Sequence, residues 1–281
     1  MRESLTIALL LVATAFTTSA QEVVAHRGYH AKAGGAHNSI GAFEEAAQNG
    51  FTHIEFDIVR TADGERIVAH GPKHGEMTIS ESTMDSLRHE PLVNGEQIPT
   101  LEEYLDMATL YPATHLVVEI KCDSEAEERL SCDIVVEELK QRELLPRSTF
   151  ISFSPLICDI LSSKGYPTLY LKGDMTPREA AKRGYKGINY HIGVYRKKPN
   201  WIGKAHSRDM VVGVWTVNEE SDAQWAIDKH IDLITSDNPE MVRELVAEHE
   251  AYEALTKQQR RELAKAERQA RKAQKEAESK K

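Results

Sequence analysis

The sequence predicts an α/β fold: a (β/α)8 TIM barrel with a small insertion after the second strand. Three observations carry this. Short apolar runs beginning near residues 23, 53, 115, 149, 168, 187, 211 and 232 alternate with stretches of helical periodicity, which makes eight β/α units. With a 20-residue leader set aside, residues 21–281 remain, a length that suits one barrel of roughly 250 residues. Chemistry-bearing side chains also gather at or near the ends of those runs: His26, Glu55 and Asp57, Glu119 and Lys121, Trp215 and Asn218, and Asp237. The C-terminal strand ends are where this fold carries its active sites.

Each element has a local reason. An apolar run at 5–16 follows Arg2 and closes on Thr17–Thr18–Ser19–Ala20. It falls short of the about 20 apolar residues that a membrane span needs. It reads as a signal peptide cut after Ala20, so the product is expected to be exported, periplasmic or extracellular. The barrel is assigned to 21–249 and a basic helical tail to 250–281. A buried strand at 23–25 stops at His26–Arg27–Gly28. Behind Ser39, the residues Ile40, Phe43, Ala46 and Ala47 fall at helical spacing, and Asn49–Gly50 closes the helix. A strand at 52–59 turns at Ala62–Asp63–Gly64, and 67–70 returns as its hairpin partner, too closely connected for a parallel crossover.

Residues 71–99, poor in periodicity and rich in Gly, Pro, His and Glu, form the insertion, with a short helix near 82–88. Thr100–Leu101–Glu102–Glu103 is a capping box that starts the next helix. Strands at 115–121, 149–153, 168–171, 187–190, 211–217 and 232–235 then alternate with helices. These helices run over 125–142, 156–163, onward from Pro177, over 200–207, over 219–229, and behind the cap Asn238 with Pro239 at the first position.

The spacing within the second strand carries the chemistry. Glu55 and Asp57 share one strand face, because side chains two apart point the same way. Two carboxylates so placed repel unless a cation lies between them. A hard, oxygen-seeking ion, Mg²⁺ or Ca²⁺, suits them; pairing with Arg60 or Arg66 is the competing reading. Among the other histidines, His30, His37 and His74 read as solvated loop residues, with a role in specificity or a second metal as the sharper alternative, and His53 as a satisfied interior residue lower in the barrel. Trp215 either walls the pocket or packs in the core.

The whole-chain charge of −9 argues against nucleic-acid binding. The tail from 257 to 281 carries +6 against −15 for the remainder, so it reads as a solvated helix, with weak attraction to anionic surfaces as the sharper alternative. The three cysteines, Cys122, Cys132 and Cys158, lack zinc-site spacing. In an exported protein a Cys122–Cys132 disulfide and reduced, buried thiols both remain open.

In order along the chain stand His26–Arg27–Gly28, Asn38–Ser39, Glu55-x-Asp57, Thr61-x-Asp63–Gly64, Val68-x-His70, Val118–Glu119–Ile120–Lys121 and Trp215–Thr216–Val217–Asn218. This set resembles the glycerophosphodiester phosphodiesterase family over roughly residues 22–245. The resemblance implies a metal-dependent barrel enzyme that hydrolyses glycerophosphodiesters to glycerol 3-phosphate and an alcohol. By matching position, His26 and His70 would be the acid–base pair, and Glu55, Asp57 and Glu119 would hold one divalent cation, Mg²⁺ or Ca²⁺. Arg27 and Lys121 would contact phosphate, with Trp215 beside the substrate, a small molecule. Two positions depart from the family pattern: His37 stands where Glu is usual, and Gly71 where Asp is usual. Phospholipase-like cleavage of lysophospholipid or phosphoinositide head groups is the alternative activity. A barrel that binds a phosphorylated ligand without cleaving it would have no need of two titrating histidines.

Overall fold

The computed structural model describes residues 21–256 apart from Asp123, and six positions between 259 and 269. The expected leader and most of the basic tail lie outside the described residues. Eight parallel strands form the ring: β1 Glu22–Ala25, β2 His53–Arg60, β3 His115–Ile120, β4 Ser148–Ser152, β5 Thr168–Tyr170, β6 Gly187–His191, β7 Val211–Trp215 and β8 Leu233–Ser236. Each pairs with its neighbours in chain order, and β1 pairs with both β2 and β8, which closes the barrel. The expected (β/α)8 architecture is therefore present. Hairpin strand Arg66–Val68 pairs antiparallel with the end of β2, as its short turn requires.

Strand alternation sorts the residues into two layers. Val24, Val117, Ile151, Leu169, Leu171 and Leu233 meet inside the ring. Ile54, Phe56, Ile58, Leu116, Val118 and Ile120 take the opposite faces and pack under the helices of the first half. A second outer cluster, including Ile188, Val212, Val214 and Ile234, serves the other half. By this parity Glu55, Asp57 and Glu119 point into the ring just above its apolar floor.

Ser39 caps the helix Ile40–Gln48, its hydroxyl accepting from the Ala42 amide at 2.9 Å. That helix fixes the loop before it. Gly28 has φ +77°, and a Cβ there would lie 2.5 Å from the Ala42 carbonyl, so only glycine allows β1 to turn this tightly against the helix.

The insertion packs Ile79, Met84, Leu87 and Ile98 against Ile67 of the hairpin strand in a small core. Its helix, Met84–Leu87, lies within the expected stretch. Its two-residue strands Lys73–His74 and Met77–Thr78 are too short to leave a periodic signal in sequence. A helix over Ile192–Lys197, capped by His191, precedes the expected one, which runs over Asn200–His206. Cys122, Cys132 and Cys158 are all free thiols, so the reduced alternative holds. No helix among the described residues is long and apolar enough to cross a membrane.

Candidate active site

Parallel register places Asp57 of β2 directly beside Glu119 of β3, with Glu55 one step below on the same face. One oxygen from each of the three carboxylates lies within 4.8 Å of the others, and all three residues are buried. Burial pushes the Glu55 carboxyl well above its ordinary range, and the nearby Asp57 and Glu119 add to the effect. Glu119 is pushed up to about 8, by burial first and Asp57 second. Burial acts upward on Asp57 too, but the Lys121 ammonium and the Asn38 amide outweigh it and hold that carboxyl below its ordinary value.

The group is short of partners. Glu55 Oε1 is buried with no hydrogen bond. Asp57 Oδ1 and Glu119 Oε1 meet the Lys121 ammonium at 2.9 and 3.0 Å, as charge contacts without well-angled hydrogen bonds. An inward cluster of oxygen donors with unsatisfied lone pairs fits a hard divalent cation. The alternative pairing with Arg60 or Arg66 is not what the fold builds, because both arginines turn to Glu127.

Arg27 belongs to the same cluster. Its backbone N–H donates to Glu55 Oε2 at 2.9 Å, and its Nε lies 3.4 Å from Asp57 Oδ2. Asn38 grips Asp57 twice: its side-chain amide donates to Oδ2 at 2.9 Å, while its Oδ1 accepts from the Asp57 backbone at 3.2 Å. Asn38 is buried at φ +60°.

His26 follows β1 and is anchored across the closing seam of the barrel. Its Nδ1 lies 2.6 Å from Asp237 Oδ1, just past β8. Asn218 donates to Asp237 Oδ2 at 2.7 Å and accepts from the Asp237 backbone amide at 3.0 Å. Partial burial acts upward on Asp237, but hydrogen bonds from His26 and His30 dominate and hold it ionised far below the ordinary range. With that carboxylate on Nδ1, the assigned tautomer leaves His26 Nε2 free. His70, just past the hairpin strand, stands exposed at the mouth, and its ring makes no hydrogen bond to a protein group among the described residues. The absent carboxylate at Gly71 is consistent with that lack of an anchor.

His26, Arg27, Glu55, His70, Glu119 and Lys121 line one pocket of about 450 Å³ at the C-terminal mouth of the barrel. Asp57 lies just beneath them. The far wall is apolar. Trp215 is half-buried there, its Nε1 donating to the Asn189 carbonyl at 2.9 Å, and it meets Phe153 edge-on with centroids 5.6 Å apart. Trp215 therefore lines the pocket while packing against its rim.

Four residues near this pocket escape sequence reasoning or change their reading. Asp237 and Asn218 stand at strand ends, yet no local signal ties either to His26. Asn189 is 1% exposed, lines the pocket and has an unpartnered Oδ1. His30, read as a solvated loop residue, instead lies 3.3 Å from Asp237 Oδ1 and stacks on His37. His53 sits at the opposite rim against His115, as an interior residue low in the barrel should. Tyr190 is buried with its hydroxyl donating to the Met175 carbonyl, so it is a packing residue.

The family model for the glycerophosphoryl diester phosphodiesterase family matches residues 26–241. A glycerophosphodiester phosphodiesterase of Bacillus altitudinis is 25% identical, over 78% of this chain and 95% of its own length. A crystal structure of a glycerophosphodiester phosphodiesterase from Parabacteroides distasonis is 32% identical with TM-score 0.79, covering 82% of this chain and 98% of that one. A phosphodiesterase from Oleispira antarctica, solved in complex with the product sn-glycerol-3-phosphate, is 21% identical with TM-score 0.70, covering 80% and 96%.

Proposed function

Because the chain belongs to the glycerophosphoryl diester phosphodiesterase family, and so is an enzyme of glycerophosphodiester cleavage, we propose how its own residues carry the reaction. Glu55, Asp57 and Glu119 hold one divalent cation, Mg²⁺ or Ca²⁺, and His26 and His70 form the acid–base pair. The carrying observation is the convergence of three buried carboxylates, two cationic side chains and two histidines on one pocket. When bound, a divalent ion offsets the charge of the diester and polarises a phosphoryl oxygen.

The charge balance favours this reading. With all three carboxylates ionised against Arg27 and Lys121, the cavity would be net negative and would repel a phosphodiester; a divalent ion turns that ionised site net positive. Arg27 presents a planar guanidinium suited to two phosphate oxygens, and Lys121 a point charge. His26, oriented by Asp237, and His70, from the hairpin, reach the phosphate from different sides. One takes a proton from the attacker, water or the substrate's own glycerol hydroxyl, and the other returns one to the leaving alkoxide; where the glycerol hydroxyl attacks, water then opens the cyclic phosphate by the same two groups. The products are glycerol 3-phosphate and an alcohol, in keeping with the ligand named for the Oleispira antarctica enzyme. A panel of glycerophosphodiesters assayed with Mg²⁺, Ca²⁺ and a chelator tests the proposal. It should include a lysophospholipid, because Phe153, 41% exposed beside Trp215, offers an apolar surface to an acyl chain.

The raised carboxyls give this site a pH signature. Glu119 at about 8, with Glu55 also raised, keeps protons in the metal-free site at neutral pH, and a cation must expel them. Apparent cation affinity should therefore climb as pH rises toward about 8 and level off above it. Calorimetry in buffers of different ionisation enthalpy should register proton release at pH about 7. Affinity that is flat across this range, with no proton released, would count against the assignment.

Asn189 supplies a second measurable effect. Its buried side-chain amide lines the pocket and can hydrogen-bond a glycerol hydroxyl, and an unsatisfied buried polar group costs about 1–3 kcal/mol. Asn189→Leu should raise KM by about 10-fold while changing kcat less. An unchanged KM would remove Asn189 from substrate binding.

Export follows from the 5–20 segment. Mass spectrometry of the protein made by its native host should find an N-terminus near Gln21. Active protein that retains Met1 or Arg2 would refute export by this route.

A further inference from the structure

Two histidines of the loop after β1 have no part in the chemistry above. The rings of His30 and His37 lie face to face, with centroids 3.6 Å apart and planes 23° apart. Asp237 completes the group. Its Oδ1 is 3.3 Å from His30 Nε2, and a ligand atom from each of the three residues lies within 4.8 Å of the others. The His37 ring makes no hydrogen bond to a protein group among the described residues, so its nitrogens are free for a ligand.

Donor chemistry separates this group from the carboxylate cluster. Three carboxylates suit a hard ion that prefers oxygen, whereas two imidazoles and one carboxylate suit a borderline ion such as Zn²⁺ or Co²⁺. Asp237 is the shared atom source: the oxygen that faces His30 is the one that anchors His26 at 2.6 Å.

We propose that His30, His37 and Asp237 form a second cation site, selective for Zn²⁺-class ions, whose occupation slows turnover by drawing Asp237 away from His26. The site itself stands on its own geometry. Its effect on turnover rests on the acid–base role given to His26. An ion on Oδ1 competes for the lone pair that holds the His26 N–H, and it sets positive charge beside a ring that must carry a proton.

The test uses the full chain, stripped of metal and then saturated with Mg²⁺ to occupy the carboxylate cluster. Co²⁺ is titrated in, and its visible ligand-field absorption is recorded. Imidazole-bound Co²⁺ of low coordination number absorbs strongly, and six-oxygen Co²⁺ weakly. A strong band saturating at one ion per chain is expected, with Zn²⁺ displacing it. His37→Ala and His30→Gln should each weaken Co²⁺ binding by more than about 10-fold. His37 is exposed and outside the turnover machinery, so His37→Ala should keep its melting temperature and its Mg²⁺-supported activity. Zn²⁺ should inhibit the unsubstituted enzyme at least about 10-fold more potently than His37→Ala.

Absence of the band overturns the site, as does unchanged Co²⁺ affinity in His37→Ala. Equal inhibition of the two proteins by Zn²⁺ overturns the link to His26. The absorption readout needs no turnover, so an enzyme inactive with every cation would refute the catalytic reading and leave this test intact.

Discussion

Asp57→Asn is expected to lower turnover of a glycerophosphodiester by more than about 100-fold and to weaken Mg²⁺ binding in parallel. Replacing groups that merely orient a ligand already costs about 10–100-fold in metal affinity, and Asp57 is assigned as a ligand itself. The substitution keeps the shape of the side chain and removes its charge. Two carboxylates would then face Lys121 and Arg27, and a divalent ion would enter a site with no net negative charge to hold it. Calorimetry separates this from unfolding: the variant should melt cooperatively, bind Mg²⁺ poorly and recover part of its turnover at high Mg²⁺. Wild-type affinity in Asp57→Asn would show that the cation is held elsewhere.

His26→Ala and His70→Ala are each expected to cut kcat by about 10²–10⁴-fold, the usual contribution of a general acid or base. KM should move less, because Arg27, Lys121 and the cation carry phosphate binding. The losses should not add in the double variant, since both groups serve one proton-transfer sequence. A p-nitrophenyl leaving group needs no protonation. It should rescue the variant that lacks the acid and leave the variant that lacks the base slow, which assigns the two roles. The anchors of the two rings differ, and that gives a further distinction. Asp237→Asn removes the carboxylate that orients His26 and should slow turnover, while His70 has no such partner to lose. Near-normal kcat on a glycerophosphodiester in both single variants, with cation bound, would refute the acid–base pair.

How much of this was legible in the sequence depends on how far apart the partners lie. The strand parity of Glu55 and Asp57 is a local property, and the structure keeps both inside the ring. The turn at His26–Arg27–Gly28 is equally local: glycine stands where the chain has no room for a Cβ. Strand starts were readable within a residue or so because each begins a short apolar run between polar loops.

What the sequence hid was contact across the closing seam. His26 and Asp237 are 211 positions apart and meet only because β1 pairs with β8. Nothing near Asp237 marks it except the helix cap that follows. His30 was misjudged for the same reason: a loop that looks solvated in one dimension brings it against Asp237 in three, while His37 stays exposed as expected. Lys121, expected as a phosphate contact, also turned out to brace Asp57 and Glu119, because its backbone emerges right after β3 and its side chain curls back over the mouth. Asn189 carries no motif. It was visible only as a buried amide facing a pocket, with the missing Cβ of Gly213 making room for it.

The central claim is that this pocket cleaves glycerophosphodiesters with a cation held by Glu55, Asp57 and Glu119. The most direct measurement is release of glycerol 3-phosphate by chelator-stripped protein, before and after one cation is restored. The expected result is no release from the stripped protein and recovery on adding Mg²⁺ or Ca²⁺, with Glu119→Gln failing to recover at the same cation concentration. Full turnover by the stripped protein would contradict the claim.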